Sequence, residues 1–372
     1  MNKFGLYLHI PFCVKKCAYC DFLSAPADEE VRERYVSALV REISMQQAKR
    51  IDSIFFGGGT PSVLSAAQTE RIIDAVYVRH SVEKDAEITT ECNPATADLN
   101  KLSAYRKMGI NRLSIGVQSF QDAELKLLGR VHDSAAAKAC ITDAKNAGFE
   151  NINLDLMSGI PKQTVQSFEE NLYTALSYEP THISAYSLIV EPETPFEKLY
   201  ADGRDLPDED SERAMYVRTG ELLDSHGFVH YEISNYAKPG FESRHNLKYW
   251  HCAPYLAAGL GSHGFDGSVR TENVRDMGQY LQMLEGGKAP IAEQTVLTQV
   301  DLASEYIMMA LRLKEGISLS AFSEKFCYDF YEAHKKKLEL YIQNGFMVCK
   351  DGRIAFTKKG IQVSNSILCE LI

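Results

Sequence analysis

Six short β-rich runs, each followed by a stretch with helical spacing, set the strongest limit on what this chain can fold into. They lie at residues 6–10, 53–56, 87–91, 112–117, 151–157 and 182–186. Strands that alternate with helices predict repeated βα units and a parallel sheet. The run Asn151-Ile152-Asn153-Leu154-Asp155-Leu156-Met157 has little polarity, as strands covered by helices do. Apolar Val31, Tyr35, Ala38, Leu39 and Ile43 recur at helical spacing between residues 29 and 49, which predicts a crossover helix with one buried stripe. Ser65 and Gln68 have the spacing of a capping box and predict a helix from Ala66 to about His80. These units are placed in a barrel or partial barrel; an open doubly wound sheet is the alternative, because strand order is not written in one sequence.

After Gly286-Gly287 the rhythm changes. Helices are expected from about Asp301, Ser320 and Phe330, followed by a hairpin over 346–356 turning at Asp351-Gly352, since Asp-Gly between β-prone runs favours that turn. The expected division is therefore a domain over 1–285 and a small helical, winged-helix-like domain over 286–372. A winged shape raises the question of DNA. The tail carries 11 Lys+Arg against 10 Asp+Glu, and the whole chain has a net charge of −10, so no basic face for phosphates is expected and nucleic acid is excluded as a partner. No run approaches the ~18 uninterrupted apolar residues of a transmembrane helix, and no secretory leader is evident, so a cytoplasmic protein is expected. No basic amphipathic helix offers a membrane anchor.

Nine cysteines, an odd number, are thinly spread except in one loop, which argues for metal chemistry over a disulfide framework. That loop is Cys13-Val14-Lys15-Lys16-Cys17-Ala18-Tyr19-Cys20, directly after the first strand. A structural zinc site normally takes four protein ligands, and the nearest other cysteine, Cys92, is far along the chain. Three thiolates suit a cubane cluster whose remaining iron is free to bind a small molecule. Phe56-Gly57-Gly58-Gly59-Thr60-Pro61 follows the second strand, where glycines let backbone approach a ligand closely. Taken alone it is an ordinary βα turn. Glu91, Gln118 and Asp155 fall near the C-terminal ends of later strands, where barrels of this kind place their sites.

A Cys-x3-Cys-x2-Cys loop in this position, with aromatic Tyr19 before the third cysteine, resembles the signature of the radical S-adenosylmethionine (SAM) superfamily. The resemblance implies a partial TIM-like (β/α)6 barrel of α/β class and a 4Fe-4S cluster on Cys13, Cys17 and Cys20. It also implies SAM chelated to the open iron through its amino and carboxylate groups, and electron transfer able to cleave the sulfonium bond to a 5′-deoxyadenosyl radical. The ordered series from Tyr7 through the glycine turn, Glu91, Gln118, Leu128-Gly129-Arg130-Val131-His132, Asp155 and Gly159-Ile160-Pro161 resembles the HemN/HemW branch. By that resemblance Tyr7, Tyr19, Gly58, Gly59, Thr60, Glu91, Gln118, Arg130 and Asp155 bind SAM.

Two features divide the branch. Its coproporphyrinogen III dehydrogenase has a fourth cysteine two residues beyond the third ligand, where this chain has Phe22, and an N-terminal extension, where the first strand here is expected from Leu6. The segment His245-Asn246-Leu247-Lys248-Tyr249-Trp250, with the chain's single tryptophan, is similar to the His-Asn-x-x-Tyr-Trp motif of HemW-type haem chaperones. Its bland reading is packing of Tyr249 and Trp250 at a domain junction. The resemblance implies that His245 ligates haem, and that the chain binds haem and passes it to acceptor haem proteins, membrane-bound ones among them. The alternative is a radical SAM oxidoreductase acting on a porphyrinogen, so whether the chain is an enzyme stays open. A regulatory iron-sulfur module with a protein-binding tail is a third reading. His9, His251, Cys252 and His263 can assist binding or satisfy core hydrogen bonds, and the second is the expectation.

Overall fold

The structure is a computed structural model that describes residues 3–372. Six parallel strands, β1 (Phe4–Ile10), β2 (Arg50–Gly58), β3 (Ser81–Cys92), β4 (Arg112–Gln118), β5 (Asn151–Ser158) and β6 (His182–Ser187), pair in sequence order. All six expected strands are present, with β2 and β3 reaching further toward their N-terminal ends than their apolar runs suggested. Sequential order without a reversal excludes the doubly wound sheet, which needs a switch point. Among the described residues β1 and β6 do not pair with each other, so the set is a partial barrel. The sheet continues beyond β6 through β8 (Asn235–Ala237) and β7 (Val229–His230). Beyond β1 it continues through β9 (Tyr255–Ala258), parallel to β1, then antiparallel β10 (His263–Phe265), β11 (Val269–Asn273) and β12 (Ile291–Val296). The strand that follows the Gly286-Gly287 turn thus belongs to the large sheet by its hydrogen bonds.

The crossovers are helical. Helix α1 (Glu29–Met45) starts where the Asp28 carboxylate accepts the Val31 N–H at 2.9 Å and buries Tyr35, Val36, Leu39 and Ile43 against the sheet. It ends four residues short of the expected limit, because Gln46 is extended and its side chain bonds the Ala257 carbonyl. Helix α2 (Ala66–Arg79) has both halves of the Ser65/Gln68 capping box. Then come α3 (Leu99–Lys107), α4 (Asp122–Leu128), α5 (Ser134–Asn146), α6 (Val165–Ser177), α7 (Pro195–Tyr200), α8 (Glu209–Ser225) and α9 (Arg244–Trp250).

Alternation along the strands decides which side chains meet inside the barrel. On β4, Leu113, Ile115 and Val117 join the apolar core, whereas Arg112, Ser114, Gly116 and Gln118 line a cleft. On β5, Ile152, Leu154 and Leu156 enter the core, and Asn153, Asp155 and Met157 face the cleft. Full burial of each such aliphatic side chain stabilises by about 1.5–3 kcal/mol, so a one-residue slip that turned the polar set outward would carry a large penalty.

Residues 297–372 hold a second apolar core built on Ile307, Leu311, Phe322, Phe330, Leu338 and Ile354. Its helices include Gln299–Ala310, Leu319–Phe326 and Phe330–Gln343, close to the expected starts. The hairpin Met347–Lys350/Arg353–Phe356 turns at Asp351 (φ 52°) and Gly352 (φ 70°), the left-handed pair that a tight two-residue turn needs. No helix among the described residues is long and apolar enough to cross a membrane.

Candidate functional site

The cysteine loop leaves β1 at Ile10 and is fixed by backbone hydrogen bonds. Cys13 N–H donates to Ala25 O (3.2 Å), Ala18 N–H to Leu128 O (3.1 Å) and Cys20 N–H to Cys17 O (3.3 Å). Phe12, buried, meets Tyr35 edge-on at 5.1 Å and anchors the loop's start. Its far end is held by a small apolar cluster of Leu128, Met157, Ile160 and Phe196, against which Ala18 and Tyr19 pack. Cys13, Cys17 and Cys20 are free thiols, part exposed, and all three face one cleft of about 460 Å³ at the C-terminal ends of the parallel strands.

The glycine turn lies against this loop. Gly59 N–H donates to Ile10 O at 2.9 Å, Thr60 N–H to Phe12 O at 2.7 Å, and Thr60 Oγ1 to Cys13 Sγ at 3.5 Å. A Cβ on Gly59 would stand 2.6 Å from Phe12 O, and Gly58 has φ +112° with a Cβ position 2.6 Å from the His9 ring. Only glycine satisfies both approaches.

Two acids and two guanidinium groups close the cleft. Burial pushes the Glu91 carboxyl up to about 8, with the Asp155 charge adding to the effect. Burial also raises Asp155, although Asn153 Nδ2 (2.7 Å) and Ser114 Oγ (3.2 Å) donate to it. Arg130 donates from Nη2 to Gly116 O at 2.7 Å and from Nη1 to Cys17 Sγ at 3.5 Å, while its Nε is buried without a partner. Arg112, 2 % exposed, also keeps a partnerless Nε and faces the cleft. Leaving a buried donor unpaired costs about 1–3 kcal/mol, so such groups mark a site shaped for a ligand rather than a settled core. Gln118, at φ +65°, ends β4 in a left-handed turn that is strained for a residue with a side chain.

The cofactors implied by the sequence fit this donor set. Three free thiols facing one cleft are one donor short of the four ligands of a structural zinc site and match the three protein-bound irons of a cubane cluster. SAM carries a carboxylate for the guanidinium donors and an ammonium, a sulfonium and ribose hydroxyls for the acids.

Of the residues expected to hold SAM, Tyr19, Gly58, Gly59, Thr60, Glu91, Gln118, Arg130 and Asp155 line this cleft. Tyr7 stands instead in an adjoining cavity of about 480 Å³, which shares Phe22, Gly58 and Glu91 with the cleft and is otherwise bordered by His9, Asp21, Leu23, Tyr249, Tyr255, Gly261, Ser262, His263 and Arg275. Arg112, Ser114, Asn153 and Ser184 also line the cleft and were missed in the sequence. The signal that finds them is the every-second-residue polarity of β4 and β5.

His245 is placed otherwise than expected of a free ligand. It is 0 % exposed, its Nδ1 is 3.0 Å from Ser53 Oγ and its Nε2 is 2.9 Å from Tyr249 OH. The ring stacks on Phe55 at 5.3 Å, and burial brings its basicity down to about 3, helped by the Lys248 and Arg112 charges. Helix α9 is fastened by the Glu87 carboxylate, which accepts the Arg244 and His245 N–H groups at 3.1 Å each, a favourable anion at a helix N-terminus. Lys248 pairs with Asp52 at 2.8 Å. Asn246 reaches the cleft and Tyr249 the second cavity. His9 does satisfy core hydrogen bonds, to Tyr7 OH (3.1 Å) and Leu23 O (3.0 Å). His251 and His263 do not: their side chains are 43 % and 47 % exposed.

These buried acids give the ligand-free chain a characteristic pH response. Glu91 (about 8), Glu42 and Glu232 (about 7 each) hold their protons in the folded state at pH values where the unfolded chain has lost them. Stability contributed this way is lost as pH rises through the folded values. The buried histidines, lowered by burial, oppose this only below about pH 6.5, where the unfolded chain protonates first. The thermal midpoint should therefore fall between about pH 6.5 and pH 8.5, and less so in Glu91→Gln. A midpoint that rises over this window would contradict the assignment.

Comparison with known proteins adds to this picture. Residues 7–172 match the radical SAM superfamily, and residues 297–363 match the HemN C-terminal domain. A Bacillus subtilis (strain 168) protein described as "Heme chaperone HemW" is 36 % identical over 367 residues, covering 97 % of each chain. Proteins of the same description from Haemophilus influenzae (35 % over 378 residues, 98 % of this chain and 96 % of that one) and Escherichia coli K12 (38 % over 322 residues, 84 % and 83 %) are also similar. Among solved structures, coproporphyrinogen III oxidase (HemN) from Escherichia coli superposes with a TM-score of 0.88 at 24 % identity, covering 100 % of this chain and 90 % of that one. At that identity the likeness speaks for the fold.

Proposed function

Because the chain belongs to the HemW haem-chaperone family of the radical SAM superfamily, we propose that it binds haem and hands it to an acceptor haem protein, using a 4Fe-4S cluster and an exchangeable SAM. The observation that carries this reading is the meeting of two cavities. The three thiols, the glycine turn and the Glu91, Gln118, Arg130 and Asp155 side chains share one cleft, and an aromatic-walled cavity adjoins it at Phe22. When bound, the cluster and SAM supply redox chemistry at an open iron. Cys13, Cys17 and Cys20 are the cluster ligands in this reading. Arg112 and Arg130 offer donors to the SAM carboxylate, and Glu91 and Asp155 accept from its hydroxyl and ammonium groups, which draws both acids toward the ionised form.

Two expectations need adjustment at this point. Tyr7 contributes to SAM only from the adjoining cavity, through the shared edge at Gly58 and Glu91. Ligation of haem iron by His245 requires the ring to give up at least one of its present partners, Ser53 Oγ or Tyr249 OH. While both bonds stand, His245 sets the position of Tyr249 in the cavity wall. The rival reading, an oxidoreductase acting on a porphyrinogen, is disfavoured by Phe22, which is 64 % exposed beside the cluster loop where a thiol would be required. We also propose that the chain works in the cytoplasm and that membrane-bound haem proteins are among its acceptors.

Anaerobic reconstitution with iron and sulfide, followed by haem titration, tests the proposal. The expected result is saturable, stoichiometric haem binding and transfer to an apo haem protein, without SAM-dependent decarboxylation of coproporphyrinogen. A cluster-replete chain that binds no haem, or that forms 5′-deoxyadenosine in step with porphyrinogen turnover, would sink the chaperone reading.

A further inference from the structure

We propose that a directed chain of hydrogen bonds, running from Ser243 through Tyr231, His182 and Asn153 to Asp155, couples occupancy of the SAM cleft to the seating of helix α9, with Tyr231 and His182 as positioning residues. The proposal rests on the SAM-binding reading above and is independent of the haem reading.

The chain of bonds crosses the interior. Asn153 Nδ2 donates to Asp155 Oδ1 at 2.7 Å, and Asn153 Oδ1 lies 2.6 Å from His182 Nδ1. His182 Nε2 lies 2.8 Å from Tyr231 OH, to which the Ser243 N–H donates at 3.4 Å. Asn153, His182, Tyr231 and Ser243 are all buried. They come from β5, from β6, from the turn between β7 and β8, and from the residue that caps α9, so no local segment builds the chain of bonds.

Donor chemistry forces its direction. Asp155, an acceptor when ionised, takes an amide hydrogen of Asn153, which turns Asn153 Oδ1 toward His182. That oxygen has no proton to give, so His182 Nδ1 carries the hydrogen. Burial keeps the ring neutral, and Nε2 is therefore an acceptor. Tyr231 must then donate its hydroxyl hydrogen to Nε2, which leaves its lone pairs for the Ser243 N–H. Every donor points toward the cleft. A ligand ammonium or hydroxyl that donates to Asp155 holds the acid ionised, and aligned hydrogen bonds polarise one another in response. The far end of that response is Ser243, which starts α9 and accepts the Asn246 N–H with its side chain. Packing alone does not call for this arrangement, since apolar side chains fill a core without the risk of a half-satisfied network.

The test uses the full, cluster-reconstituted chain with and without SAM, reading amide hydrogen exchange over residues 243–252 by mass spectrometry. In wild type, SAM should slow exchange there by at least about fivefold, the low end of usual coupling between sites. Tyr231→Phe keeps the ring and removes the hydroxyl; His182→Asn keeps a donor toward Asn153 and falls short of Tyr231. Both should bind SAM and lose the slowing. Glu87→Gln, which weakens the other anchor of α9, should raise exchange in both states and keep their ratio. Slowing that survives in either Tyr231→Phe or His182→Asn overturns the proposal, as does its loss in Glu87→Gln or a SAM-bound wild type with unchanged α9 exchange. A wild type that binds no SAM overturns the proposal together with the SAM reading. The exchange readout needs no haem, so a chain that shows the coupling but binds no haem sinks the chaperone reading alone.

Discussion

Cys17→Ala should abolish cluster assembly while leaving the polypeptide folded. A cubane needs three protein thiolates to hold it when its fourth iron is kept for a small molecule, and two thiolates on a loop cannot retain it. Iron and sulfide content after reconstitution should drop to a small fraction of wild type, and SAM affinity should fall with it, because the open iron disappears. Among the described residues the one side-chain partner of Cys17 is Arg130 Nη1, whose long contact to the sulfur (3.5 Å) faces the cleft, where water can replace it. Cys17 is part exposed, and the loop's backbone bonds from Ala18 to Leu128 and from Cys20 to Cys17 survive the substitution. The metal-free variant should therefore unfold within about 0.5–1 kcal/mol of metal-free wild type. Cys140→Ala is the control: that thiol is buried on α5, away from the cleft, and its loss should leave iron content intact. Full iron content in Cys17→Ala would remove it from the ligand set.

The contrast between these cysteines shows which part of the site is legible in a sequence. A Cys-x3-Cys-x2-Cys loop brings its ligands together by chain proximity alone, so spacing is enough. Glu91, Gln118 and Asp155 are brought together by the sheet, and they could be anticipated because parallel strands put their C-terminal ends at one rim. Arg112 was not anticipated: a cation at the start of an apolar run reads as a flanking residue until the strand's register is known. Once β4 is set, the alternation that buries Leu113, Ile115 and Val117 carries Arg112, Ser114 and Gly116 inward together. The edges of the large sheet were harder still. β7 through β12 are short, and their places follow from two chains of pairing, one starting with β9 on β1 and one with β8 on β6, rather than from their own composition. For that reason β12 lies beyond the Gly-Gly turn that looked like a boundary. His245 marks a further limit. A motif gives the residue types of α9, but only packing reveals that the ring faces Ser53 and Phe55 rather than a cavity.

Helix α9 is where the second large effect is expected. His245→Ala removes a fully buried ring, its stacking on Phe55, and both hydrogen bonds, leaving Ser53 Oγ and Tyr249 OH without the partners they have now. Truncating a buried aromatic costs about 3–5 kcal/mol when the site cannot collapse, and each orphaned buried hydroxyl adds about 1–3 kcal/mol unless water reaches it. Destabilisation of about 4 kcal/mol is the expected outcome, read from urea unfolding of the metal-free chain. Haem lost by this variant would not by itself separate ligation from a collapsed wall, since Tyr249 borders the cavity and loses its partner. His245→Gln separates the two effects: an amide can keep one of the two hydrogen bonds and part of the volume, so it should recover a good share of the stability without supplying an imidazole. Recovery of haem binding with it assigns His245 to the wall. Destabilisation below about 1 kcal/mol in His245→Ala would mean that α9 opens at little cost. In that case direct ligation by His245 regains its footing, because the closed helix would no longer hold the ring away from iron.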